Sequence, residues 1–165
     1  MLALAAGAAS AQATDTLAKI KDRGAVNLGV RDSSGLAFTL GGGKYVGFHT
    51  EMAERIIDDL GKSLGKPLKI NYQVITSQNR IPLIQNGTID FECGSTTNNK
   101  ARQKDVDFAF TTYVEEVRIA VKANSGIKSI KDLNGRTVAT TTGTTSVQTL
   151  RKNERAGGID FKEVM

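Results

Sequence analysis

LKINYQVITSQNRIPLIQNGTIDFECGSTTNN, residues Leu68 to Asn99, is the stretch whose reading decides the fold. Leu68 to Ile75 alternates apolar and polar residues, the period of a half-buried strand. Thr76-Ser77-Gln78-Asn79-Arg80 is polar and opens a helix. Pro82 falls in the first turn of that helix, where its missing N–H does no harm. The helix ends near Asn86-Gly87, and Thr88 to Cys93 returns as a strand. Gly94-Ser95-Thr96-Thr97-Asn98-Asn99 is a second polar turn, able to cap a further helix through Arg102. Strand, helix and strand in succession, with polar tips, predict an α/β sheet.

The pattern extends both ways. Upstream, Val26 to Val30 is a short β-rich run closed by Arg31-Asp32-Ser33-Ser34-Gly35. Phe38 to Leu40 and Tyr45-Val46 flank Gly41-Gly42-Gly43-Lys44, a hairpin signal. Thr50 can cap a helix whose Met52, Ala53, Ile56, Ile57, Leu60 and Leu64 share one face, until Gly65-Lys66-Pro67 stops it. Downstream, Val106, Phe108 and Phe110 alternate, as do Val117, Ile119 and Val121, which predicts two extended segments. A second unit begins near Val117. It has a helical turn at Ile130 to Gly135, a strand at Arg136 to Thr140, a polar turn at Thr141 to Ser146, and a helix at Val147 to Leu150. By itself this unit is shorter than domains that stand alone. The chain therefore reads as one unit over residues 14–116 and the start of a second over 117–165, a fragment or early stop of a larger two-domain protein.

Leu2 to Ala9 is apolar but much too short to span a membrane. Ala11-Gln12-Ala13 follows, a small-x-small pattern, and the chain then turns polar. Residues 1–13 read as the remnant of a secretory signal peptide cleaved after Ala13, or as a frayed Ala-rich helix. Export implies an oxidising compartment. Cys93 is the single cysteine, so it is either a buried free thiol or paired beyond Met165. The net charge is +5, but the basic residues are scattered and interrupted by acids. Aromatics make up 5% and there is no Trp, which leaves little for base stacking. A solvated surface accounts for the charge better than nucleic acid does.

The chemistry collects at strand ends, where α/β sheets bind ligands. Arg31 to Ser34, Thr76 to Arg80, Gly94 to Arg102 and Thr142 to Ser146 are four polar turns so placed. Three precede helices, whose first N–H groups favour anions. Arg31, Arg80 and Arg102 can each grip a carboxylate with two parallel bonds. Together these turns predict a small, multiply anionic ligand. The plain alternative makes Ser77 and Thr97 N-caps and the arginines solvated surface. No catalytic constellation stands out. His49, the single histidine, reads as a surface or capping residue, and nothing suits zinc, calcium, a P-loop or a dinucleotide.

Over Ile75 to Asn99 the sequence closely resembles the periplasmic glutamate/aspartate-binding proteins of ABC importers. Weaker likeness runs from about Thr16 to Val164, through Gly29-Val30-Arg31, Tyr45-Val46-Gly47-Phe48 and Gly143-Thr144-Thr145-Ser146. The resemblance implies a two-lobe α/β clamp, here truncated to most of lobe 1 and the start of lobe 2. It implies that Arg102, Ser95 and Thr97 hold the ligand α-carboxylate and ammonium. Arg31, Ser77 and Arg80 would read the side-chain carboxylate, and Thr144 and Thr145 would complete the clamp. The Thr97-to-Arg102 spacing matches the acidic-amino-acid branch. Further lobe 2 groups, an ammonium-binding carboxylate, the return segments of lobe 1 and a partner for Cys93 would lie beyond Met165.

The physics runs the same way. Glutamate and aspartate are net negative, and two arginine-bearing turns would reject glutamine, whose amide leaves an arginine poorly paired. The expected protein is monomeric and needs no cofactor or metal. It would capture L-glutamate or L-aspartate and present the closed clamp to ABC permease subunits. The competing reading is an enzyme on the same fold, like cyclohexadienyl dehydratase, with Glu92 as the strand-end carboxylate. A third is a chain that binds nothing.

Overall fold

The computed structural model describes residues 15–165, so the proposed signal-peptide remnant at 1–13 lies outside the described residues. Helix α1, Thr16–Arg23, starts where the Asp15 carboxylate accepts the N–H groups of Leu17 and Ala18. It leads into β1, Ala25–Val30. After β2, Ser33–Ser34, the strands β3, Ala37–Gly41, and β4, Lys44–Val46, form the expected antiparallel hairpin. Helix α2, Phe48–Ser63, follows. Strand β5, Lys69–Val74, helix α3, Arg80–Gln85, and the two-residue strand β6, Phe91–Glu92, complete the first sheet.

That sheet is parallel, in the order β5-β1-β6. Central β1 is covered on both faces, so its residues are buried almost without alternation. Val26, Leu28 and Val30 pack with Ile20, Ala53 and Ile57. On the other face Gly29 leaves room for Ile89, whose Cδ1 would stand 2.7 Å from a Cβ at 29. Fully burying each of Leu28, Ile57, Val26 and Val30 contributes about 1.5–3 kcal/mol. This core fixes the carboxyl ends of β1, β5 and β6 side by side.

The second unit has its own core of Leu133, Val138, Leu150 and Phe161. A 3-10 turn at Ile130–Leu133 is held by a capping box in which Ser129 and Asp132 satisfy each other's backbone. Strand β7, Thr137–Ala139, pairs in parallel with β8, Lys162–Val164, across helix α4, Thr145–Gly157.

Three local expectations differ from the structure. Helix α2 begins at Phe48, with Gly47 as its cap residue. Thr50 therefore lies inside the helix, where its hydroxyl donates to the Val46 carbonyl at 3.4 Å. Residues 107–122 run without strand pairing among the described residues, and Phe110 is 98% and Val114 86% exposed. Alternation marks a face, but a strand also needs a neighbour for its N–H and C=O groups. The β6 ladder is shorter than Thr88 to Cys93, because β6 pairs with β1 at only two positions.

Candidate functional site

All four polar turns emerge from the carboxyl ends of parallel strands, and the structure brings them together. Arg31 leaves β1 and Ser77 leaves β5. The Arg31 Nη1 donates to Ser77 Oγ at 3.1 Å. The hydroxyl of Thr76 accepts the N–H groups of Gln78 and Asn79, while Asn79 Oδ1 accepts that of Thr76 at 2.7 Å. This locked turn delivers Arg80, the first residue of α3, into the interior, where it is only 3% exposed.

Arg80 faces Glu92, the last residue of β6. Nη1 and Oε1 lie 3.9 Å apart, an ion pair too long for a hydrogen bond. Thr96 donates its hydroxyl to the other carboxylate oxygen. Arg80 Nε and Nη1, Arg31 Nε and Glu92 Oε1 are buried with no hydrogen-bond partner among the described residues. Burial lowers the Arg80 pKa; the Glu92 carboxylate opposes this, and the charges of Arg102 and Arg31 add to it. The three guanidiniums therefore share one electrostatic neighbourhood.

Asn99 Oδ1 caps the 3-10 turn at Arg102–Lys104 by accepting the N–H groups of Ala101 and Arg102. Arg102 is 9% exposed and joins the two units. Its Nη1 donates to the Thr97 carbonyl at 3.0 Å and its Nη2 to the Gly143 carbonyl at 3.1 Å. Thr97 Oγ1 and Thr145 Oγ1 are 3.2 Å apart. Gly143 takes φ +78° and sits so close to the β5 turn that a Cβ there would be 2.6 Å from the Ser77 carbonyl oxygen. Thr144 is the N-cap of α4: its hydroxyl donates to the Thr141 carbonyl and accepts the Val147 N–H. Ser95 is half-buried on the same turn as Thr97, and no side-chain hydrogen bond ties it to the cluster among the described residues.

His49 departs from the expectation of a surface or capping role. It is 1% exposed, with Nε2 3.0 Å from Thr112 Oγ1 and Nδ1 without a partner among the described residues. Burial lowers its pKa, against a smaller upward pull from Glu92. Helix α2 starts earlier than Thr50, which turns the second residue inward. Cys93 is free and half-buried. Burial raises its pKa and Glu92 adds to this, which disfavours the reactive thiolate. Glu92 is the site group that sequence reasoning noted but left out of the ligand set. The signal was its place at a strand end, immediately before Cys93-Gly94. No group of three metal-ligating side chains occurs among the described residues.

The model of the bacterial extracellular solute-binding proteins, family 3, matches residues 26–161. The chain belongs to that family. The L-glutamate/L-aspartate-binding protein of Pseudomonas aeruginosa is 43% identical over 152 residues, covering 90% of this chain and 50% of that protein. The glutamate/aspartate import solute-binding protein of Escherichia coli K12 is also 43% identical, over 161 residues, covering 92% and 53%. The glutamine-binding protein of Geobacillus stearothermophilus is 40% identical over 143 residues, covering 84% and 53%. This family 3 chain spans about half the length of the curated relatives it matches. Among solved structures it is similar to an ancestral amino acid-binding protein described as a precursor of cyclohexadienyl dehydratase. There the TM-score is 0.76 at 27% identity, over 90% of this chain and 63% of that one. An ancestral arginine-binding protein bound to arginine gives 0.65 at 28%, over 86% and 61%.

Proposed function

We propose that this chain carries the anion-reading part of an exported solute-binding protein that captures L-glutamate or L-aspartate for an ABC permease. The observation that carries the reading is the convergence of Arg31, Arg80 and Arg102, with Ser77 and Thr97, at adjacent strand ends. Arg80 and Arg31 present buried donors with no hydrogen-bond partner among the described residues, free to bond an anion. On this reading they take the side-chain carboxylate, while Arg102, Ser95 and Thr97 take the α-carboxylate and ammonium. Thr145 completes the clamp from the second lobe, which begins near residue 117. Thr144 acts through its cap of α4.

Binding here needs no catalysis. A raised Cys93 pKa disfavours the thiolate at neutral pH, and His49 is buried with Nε2 against the Thr112 hydroxyl rather than on the arginine cluster. The names of the glutamate/aspartate relatives support the same ligand class. Isothermal calorimetry of the chain against glutamate, aspartate, glutamine and arginine tests the proposal. Saturable heat with the two dicarboxylic amino acids, and little with the others, is expected. Equal heats for glutamate and glutamine, or none at all, would overturn it.

A further inference from the structure

Three buried or half-buried guanidiniums in one neighbourhood are costly unless something offsets their charge. Glu92 is placed to do so. Its side chain is 5% exposed at the end of β6. The Thr96 hydroxyl anchors one carboxylate oxygen and leaves the other 3.9 Å from Arg80 Nη1. At that distance the carboxylate neutralises Arg80 without taking up its donors: Nε and Nη1 have no hydrogen-bond partner among the described residues. The backbone has also made room for it. A Cβ on residue 94 would stand 2.6 Å from Glu92 Oε1 and 3.4 Å from Cδ, so glycine there leaves the carboxylate its space. The Glu92 charge also acts on Arg102 and so reaches both halves of the cluster.

We infer that Glu92 is a positioning residue, the fixed counter-ion of the arginine cluster. It cancels one of three positive charges and thereby sets at two the number of carboxylates the site accepts. The second half of that statement rests on the solute-binding reading; the first does not. Three guanidiniums less one carboxylate leave a charge that a dicarboxylate matches. With Glu92 neutral, a third carboxylate would find a match.

The first test needs no ligand. Urea unfolding of the wild-type chain, Arg80→Met, Glu92→Gln and the double variant forms a double-mutant cycle. Each single variant strands one buried charge and should lower the midpoint. The double variant should lose clearly less than the two single losses combined. Additive losses would overturn the counter-ion. If either single variant fails to fold, recovery of folding in the double variant supports the pairing, and its failure to recover refutes it. The second test measures glutarate and tricarballylate, which lack an ammonium and differ by one carboxylate. Glu92→Gln should shift the ratio of their Kd values about tenfold toward tricarballylate; an unchanged ratio would overturn the charge-setting role. A wild-type chain that bound neither glutamate nor glutarate would sink the solute-binding reading and the charge-setting role with it, while the unfolding cycle would still decide the counter-ion.

Discussion

Replacing Gly143 by Ala separates two costs that the structure superimposes. Gly143 has φ +78°, and a left-handed backbone costs Ala about 1–2 kcal/mol, partly offset by a stiffer unfolded chain. Gly126 has nearly the same backbone, φ +74°, but a Cβ there meets nothing within 4 Å. At Gly143 the added carbon would stand 2.6 Å from the Ser77 carbonyl oxygen and 2.8 Å from its carbon, far inside the 3.4 Å at which ordinary contact begins. Both are backbone atoms and cannot rotate away, so the Thr141–Thr145 turn must lift. Lifting it breaks the bond from Arg102 Nη2 to the Gly143 carbonyl, and a charge-assisted bond of this kind contributes about 1.5–3 kcal/mol. The expectation is about 1 kcal/mol lost in Gly126→Ala and about 3 kcal/mol in Gly143→Ala. Urea unfolding of both variants beside the wild type measures the difference. Equal losses would refute the claim that the second unit's turn rests on the first.

Other perturbations probe the remaining parts of the site. Arg80→Met should weaken glutamate binding about a hundredfold or more, since a charged hydrogen bond and a buried carboxylate both lose their partner, while weak glutamine binding changes far less; calorimetry giving equal losses would contradict the role of Arg80. Gly94→Ala should push the Glu92 carboxylate aside and lower glutamate affinity while leaving far-ultraviolet circular dichroism unchanged, and full affinity would count against the packing read at that turn. His49 also makes a pH prediction. Because burial lowers its pKa from 6.5, the unfolded chain takes up the proton first as pH falls. Its contribution to stability is complete above pH 6.5 and declines below it. The unfolding midpoint should therefore fall more steeply as pH drops below 6.5 in the wild type than in His49→Asn; parallel curves would contradict the buried neutral imidazole.

Much of the first unit was legible because its strands and helices carry their own periods. The alternation of Leu68 to Ile75 and the helical face from Met52 to Leu64 gave the β5 and α2 elements within a few residues. Three of the turns converge by one rule, that parallel strands put their carboxyl ends together; the fourth, after β7, belongs to a separate sheet and meets them only through the Arg102–Gly143 and Thr97–Thr145 contacts. Where the reading failed, a non-local term decided. Val106 to Val121 has the alternation of strands but no ladder among the described residues, and alternation cannot say who the neighbour is. His49 looked like a cap because Thr50 is a good capping residue. The helix instead starts at Phe48 after Gly47, whose backbone presses against the Leu36 carbonyl. The Glu92 orientation was open from sequence, since a strand end can face either way. The space left by Gly94 and the hydroxyl of Thr96 turn the carboxylate onto Arg80. Helix α1 and strand β8 were missed: α1 is short and mostly exposed, and β8 has three residues.

The most direct test of the account is a nuclear magnetic resonance titration of the arginine Nε–Hε signals with glutamate and, separately, glutamine. If one dicarboxylate sits among the three guanidiniums, the signals of Arg31, Arg80 and Arg102 will move together with a single midpoint in glutamate, and those of Arg31 and Arg80 will barely move in glutamine. Signals that stay still in glutamate, or that titrate with separate midpoints, would contradict a shared site.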